Sequence, residues 1–156
     1  MCWAFGAGDN IYGKDSTNAT KSMDMAFEPV IDLKLPWAAV LGNHDQEGTL
    51  SREEVMQYIV GKPYTLSGLN PTDMKIDGFR NYNLEVAGAE GSSLANKSVL
   101  NLYFLDSGDY MFSPIPFLGY GWIKQSQQDW FKQTSSRLQV GSEQFQPTHT
   151  KICMYL

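Results

Sequence analysis

The amino-acid sequence predicts an α/β fold, on three observations. Three largely apolar runs, at residues 3–7, 37–41 and 99–105, each end in Gly, Asp or Asn. An apolar set at helical spacing lies between the first two runs. A second helical pattern covers residues 123–138. Short continuous apolar runs closed by turn residues read as strands buried on both faces, and polar clusters at such strand ends are where α/β proteins place ligands.

Taken in order, Trp3 to Ala7 is the first strand and stops at Gly8-Asp9-Asn10. Ala19, Met23, Ala26, Phe27, Val30 and Ile31 then follow helical spacing, with Pro29 placed to break or kink the helix or to open a short second one. Trp37 to Leu41 is the next strand, ending in Gly42-Asn43-His44-Asp45, so the unit is a parallel strand–helix–strand crossover. Ser51-Arg52-Glu53-Glu54 matches a capping box opening a short helix through Val55, Met56 and Ile59.

Residues 63–80, rich in Gly, Pro, Asn and Asp, read as a long loop. Tyr82, Leu84 and Val86 alternate with polar residues and predict a strand antiparallel to 99–105, joined through 88–98. Asp106 and Asp109 fall in a strand-end turn. The last helix presents Ile123, Trp130, Phe131, Thr134 and Leu138 on one face, so Trp130 and Phe131 read as core rather than as a substrate platform. Met23, Met25 and Met56 also read as core. No periodicity marks 140–156.

At 156 residues the chain suits one domain, and 42% hydrophobic with 19% charged residues excludes a disordered class. A net charge of −5 without a basic run argues against nucleic acid or an anionic membrane surface as partner. No apolar stretch approaches a membrane span, and the first five residues predict no secretory signal. Cys2 and Cys153 read as ordinary thiols. Asn18-Ala19-Thr20 and Asn96-Lys97-Ser98 match glycosylation acceptors.

Three chemistries compete for residues 6–16. A dinucleotide loop fails because Ile11 stands where the third glycine is needed. Gly8 to Lys14 matches a phosphate-binding loop, but Asp15 replaces the metal-binding hydroxyl and Asp9 would oppose phosphate. The third reading makes Asp9 a metal ligand at a strand end, with Tyr12 three residues on. It gains weight from Asn43, His44 and Asp45 at the next parallel strand end, because hard oxygen donors with one imidazole suit Mg, Mn, Zn or Fe.

Together with Leu105-Asp106-Ser107-Gly108 and Gly121-Trp122-Ile123 leading to Gln128-Asp129-Trp130-Phe131, these motifs resemble the calcineurin-like metallophosphoesterases, nearest the plant-type purple acid phosphatases. The resemblance covers about residues 8–139. It implies a mixed β-sheet with flanking helices, as an incomplete α/β/β/α sandwich, followed by a divergent tail at 140–156. It also implies hydrolysis of phosphate monoesters at a dinuclear centre of Fe with Zn, Mn or Fe. Asp9 would bridge the metals, Tyr12 would bind ferric iron and Asn43 the divalent ion. His44 would face the phosphate, with Asp45 orienting it. Secretion is the rule for the parent family.

The chain departs from that pattern in its histidines, of which it has two where the family needs at least four. No acidic residue or histidine precedes Asp9, and His149 lacks an apolar strand to deliver it. The alternative expectation is therefore a truncated form that is catalytically silent or acts as a binding partner, its metal centre incomplete.

Overall fold

The computed structural model describes residues 4–111, 119–139 and 151–154; the expectations for Cys2 and His149 lie outside them. Strands β1 (Ala4–Ala7) and β2 (Trp37–Val40) pair parallel in register, Ala4 opposite Trp37 and Ala7 opposite Val40. Helix α1 (Ala19–Asp32) makes the crossover, opened by the Asn18 side chain, which accepts from the Lys21 N–H. The helix runs through Pro29 to Asp32, so it is not broken there and no second helix opens. Pro29 lies on its exposed face, one turn from the end, where the lost hydrogen bond concerns the similarly exposed Met25.

Helix α2 (Arg52–Val60) carries the capping box: Ser51 Oγ accepts from the Glu54 N–H, and the Glu54 carboxylate accepts from the Ser51 N–H at 2.8 Å. The 61–81 segment has no helix or strand of its own. It is held by Asn70, whose side chain bridges the Ile76 and Gly78 carbonyls and the Asn81 N–H. Strands β3 (Tyr82–Ala87) and β4 (Ser98–Leu105) are antiparallel, Tyr82 opposite Phe104, and their connection carries Asn96 exposed at φ 63°. A small ladder joins β5 (Tyr110–Met111) to β6 (Gly119–Tyr120), and α3 spans Gln125–Gln139.

Strand β7 (Lys151–Met154) was not legible in the sequence; it pairs parallel with β4, Cys153 opposite Phe104. Four residues joining a sheet edge through backbone bonds need no apolar alternation.

Side-chain alternation along β2 and β4 sets the layers. Trp37, Ala39 and Leu41 face α1 and α2 with Met23, Phe27, Val55, Met56 and Ile59. Ala38 and Val40 point the other way, onto Tyr82, Leu102 and Phe104 of the second sheet. The far side of that sheet, through Tyr103 and Leu105, takes Trp130, with Ile123 and Phe131 beside it. The order is helices, sheet, sheet, helix, a mixed α/β arrangement of small sheets.

Two expectations change. β1 is not buried on both faces: Phe5 is 52% exposed, and β1 pairs only with β2 among the described residues. Met25 is 65% exposed and contributes nothing to the core that Met23 and Met56 fill.

Candidate functional site

Because β1 and β2 are parallel and in register, the loops that follow them leave the sheet side by side. Gly8 and Asp9 turn the first loop with φ of 91° and 45°. Glycine adopts that region freely, and Asp is among the few other residues that tolerate it. The turn carries the Asp9 carboxylate over the second loop, where Oδ1 accepts from the His44 backbone N–H at 3.0 Å. Gly42 leaves the room for it, since a Cβ there would overlap that carboxylate.

The loops meet again at Gly13, whose N–H donates to the His44 carbonyl at 3.0 Å. A single 3-10 turn over Gly13–Asp15 follows, and α1 opens only at Ala19, so no helix N-terminus stands at Lys14 as a phosphate-binding loop requires. Tyr12 is half exposed, its ring centroid 4.8 Å from that of His44. The structure thus brings Asp9, Tyr12, Asn43 and His44 to one edge.

Asp45 does something other than orient His44. It is buried, accepting from the Ile11 and Gly42 N–H groups at 3.0 and 2.8 Å and from Asn10 Nδ2 at 3.2 Å. Asn10 also donates to the Val40 carbonyl, so Asp45 ties the two loops to each other and to the end of β2. Burial pushes its carboxyl above the usual range, with those bonds opposing.

The partner of His44 is Glu47, whose Oε2 lies 2.7 Å from Nδ1. That hydrogen bond holds the imidazole above its ordinary pKa and the Glu47 carboxyl below its own. Glu47 Oε1 is 3.1 Å from the Tyr110 hydroxyl, which lies 2.8 Å from Asn43 Nδ2. Sequence reasoning missed Glu47 and Tyr110. Glu47 was within reach, as the residue three after His44 in a tight turn; nothing local marks Tyr110.

Arg52 was also missed, being hidden in the capping box. Buried at the first position of α2, it donates to the Gly42 and Leu41 carbonyls at 2.7 and 3.2 Å and to Asp106 Oδ1 through two nitrogens at 2.9 and 2.6 Å. Asp106 also accepts from the Gly108 and Phe79 N–H groups. It therefore sits in the expected strand-end turn while anchoring the second loop from beneath. Trp122 is 53% exposed beneath the Lys124 ammonium, whereas Trp130 and Phe131 pack on Tyr103.

The chain is 59% identical over 134 residues to "Probable inactive purple acid phosphatase 29" of Arabidopsis thaliana, a match covering 84% of this chain and 34% of that protein. It is 49% identical over 138 residues to "Probable inactive purple acid phosphatase 14" of the same plant, covering 86% and 34%. The chain belongs to the purple acid phosphatase family. A more distant relative of this purple acid phosphatase family member is "Phosphatase DCR2" of Saccharomyces cerevisiae, 37% identical over 123 residues, covering 77% of this chain and 21% of the yeast protein. The chain spans about a third of the length of the Arabidopsis relatives. No family model and no solved structure matches it.

The family implies a dinuclear metal centre. The donor set fits part of one: a carboxylate in a cradle that a Cβ at Gly42 would fill, a phenol beside the His44 ring, and the Asn43 amide. Among the described residues, no three His, Cys, Asp or Glu side chains group to hold an ion, so these donors do not complete a shell.

Proposed function

We propose that this chain carries the phosphate-facing and part of the metal-facing side of a metal-dependent phosphoesterase acting on phosphate monoesters. The observation that carries this reading is the closure of the Asp9 carboxylate onto the His44 N–H, with the Tyr12 ring against the imidazole. Asp9, Tyr12 and Asn43 would hold the metals, Fe with Zn, Mn or Fe. When bound, such a pair polarises the phosphoryl oxygens and lowers the pKa of a bound water.

The chain's own groups do the rest. Asp9 keeps Oδ1 on the His44 N–H, which fixes the carboxylate's direction and leaves Oδ2 outside that bond. His44, at 32% side-chain exposure, has its Nδ1 side taken by Glu47 and its Nε2 side available to a phosphate ester. The raised imidazole pKa enlarges the protonated fraction near neutrality, which suits binding a phosphoryl oxygen and protonating the leaving alkoxide. The layered α/β arrangement supports the same reading, since it places both loops at parallel strand ends.

A catalytically silent reading is favoured by one observation, the missing trio of charged or imidazole ligands among the described residues, and by the names of the Arabidopsis relatives. One assay separates the two. The purified chain is incubated with an aryl phosphate and Mn²⁺, Zn²⁺ or Fe³⁺, beside an Asp9→Ala control. Metal-dependent hydrolysis that the substitution abolishes supports the enzyme. Equal rates for the two proteins refute hydrolysis by this chain on its own and leave the silent reading.

A further inference from the structure

We propose that Glu47 and Tyr110 are positioning residues that decide which end of the Asn43 amide faces the metal side and which His44 nitrogen faces the phosphate. The inference rests on the functional reading given above. Hydrogen supply sets the direction of a chain of three contacts, His44 to Glu47, Glu47 to Tyr110 and Tyr110 to Asn43.

A carboxylate has no hydrogen to give, so both Glu47 oxygens accept. Oε2 lies 2.7 Å from His44 Nδ1, so Nδ1 carries a hydrogen. Oε1 lies 3.1 Å from the Tyr110 hydroxyl, so the single phenolic hydrogen is directed to Glu47. The Tyr110 oxygen then has only lone pairs to offer Asn43 at 2.8 Å, and the amide atom facing it must be the donor, Nδ2. One carboxylate thereby sets the direction of every link.

Two consequences meet the needs of the site. With Nδ2 turned to Tyr110, Asn43 is left with Oδ1, the amide atom that binds hard cations, on its other side. With the Nδ1 hydrogen on Glu47, Nε2 is the nitrogen left to the phosphate, an acceptor in the neutral ring and the donor to a phosphoryl oxygen when the ring is an imidazolium. Asn43 is buried and the Glu47 side chain is 19% exposed, so water is a poor substitute for either partner. A clamp serving only to tie the second loop to β5 would work with either polarity. The polarity is therefore the quantity to measure.

Long-range ¹H–¹⁵N spectra of the labelled chain, at a pH where the ring is neutral, read the His44 tautomer and the Asn43 side-chain amide together. The wild type should show His44 as the Nδ1–H tautomer. Glu47→Ala should return the ring to the mixture of a histidine free in water. Tyr110→Phe, which keeps the ring beside Tyr120, should leave the tautomer alone, shift the Asn43 amide signals and weaken binding of Mn²⁺ alone about 10–100-fold, the scale of an outer partner's loss. Glu47→Gln keeps the shape but supplies a hydrogen at one of its two contacts, so it should alter at least one signal even if Glu47→Ala unfolds.

An unchanged tautomer in Glu47→Ala with wild-type circular dichroism overturns the proposal. So do unchanged His44 and Asn43 signals in Glu47→Gln, or unchanged Asn43 signals in Tyr110→Phe. Mn²⁺ that broadens neither Asp9 nor Asn43 in the wild type sinks the metal reading instead, and the tautomer result separates that failure from this one.

Discussion

Replacing Arg52 with methionine should destabilise this chain by about 3–5 kcal/mol, the cost of removing one partner from a buried ion pair. The structure locates the cost. Side-chain exposures are 7% for Arg52 and 2% for Asp106, so neither group has water in reserve. Without Arg52, Asp106 keeps the Gly108 and Phe79 N–H groups but no counter-charge, while the Leu41 and Gly42 carbonyls lose their guanidinium donors. Methionine keeps the length and helix propensity, which confines the change to charge and donors. Against a total stability of about 5–15 kcal/mol, the loss is large enough to read by urea unfolding.

A cycle with Asp106→Asn isolates the charge. Asparagine removes the buried carboxylate that Arg52→Met leaves unpaired, so the double variant should be less destabilised than the sum of the singles, by about 1–3 kcal/mol. An Arg52→Met cost below about 1 kcal/mol, the range of an exposed pair, would refute the reasoning, and so would strict additivity.

Gly42→Ala should cost about 1–3 kcal/mol by overpacking and displace the Asp9 carboxylate its Cβ would meet, seen as a lower Tm and a shifted His44 amide signal. Met23→Ala, at a fully buried site, should cost about 2–5 kcal/mol in urea unfolding, whereas Met25→Ala, at a site 65% exposed, should stay within about 0.5 kcal/mol. The Ser51 hydroxyl and N–H hold the Glu54 carboxyl below its usual pKa. The cap's contribution is therefore complete above the unfolded value near ~4.3 and is lost as pH falls through the lower folded value. Amide exchange in the first turn of α2 should rise over that window, and Ser51→Ala should flatten the dependence.

What was legible in the sequence was whatever follows from local period and turn chemistry. The alternation of Trp37 and Ala39 against Ala38 and Val40 belongs to a strand facing two different layers, and Ser51 with Glu54 is a helix start under any tertiary arrangement. The convergence of Asp9, Tyr12, Asn43 and His44 followed from two motifs at parallel strand ends. The misreadings are tertiary. Composition does not separate a strand with one partner among the described residues, such as β1, from a central one, and a helix tolerates Pro29 when the affected turn is exposed. Asp45 and Glu47 are both carboxylates close to His44, and only the path of the turn decides that one goes under the loops while the other takes the imidazole. Tyr110 lies 67 residues from Asn43, beyond the reach of any local rule.

Strand β2 is the common wall of two of the three apolar clusters, one on each of its faces. Neither cluster can be hydrated while the other stays dry without moving that wall, so the helical side and the second sheet should melt as one cooperative unit. The backbone amides of Ala38 to Val40 should then be among the slowest in the chain to exchange with deuterium, opening only with global unfolding, while the exposed tip between β3 and β4 exchanges by local fraying. The loop bearing Asn43 and His44 hangs from the end of that slowest strand, so its root is held by the part of the molecule that lets go last.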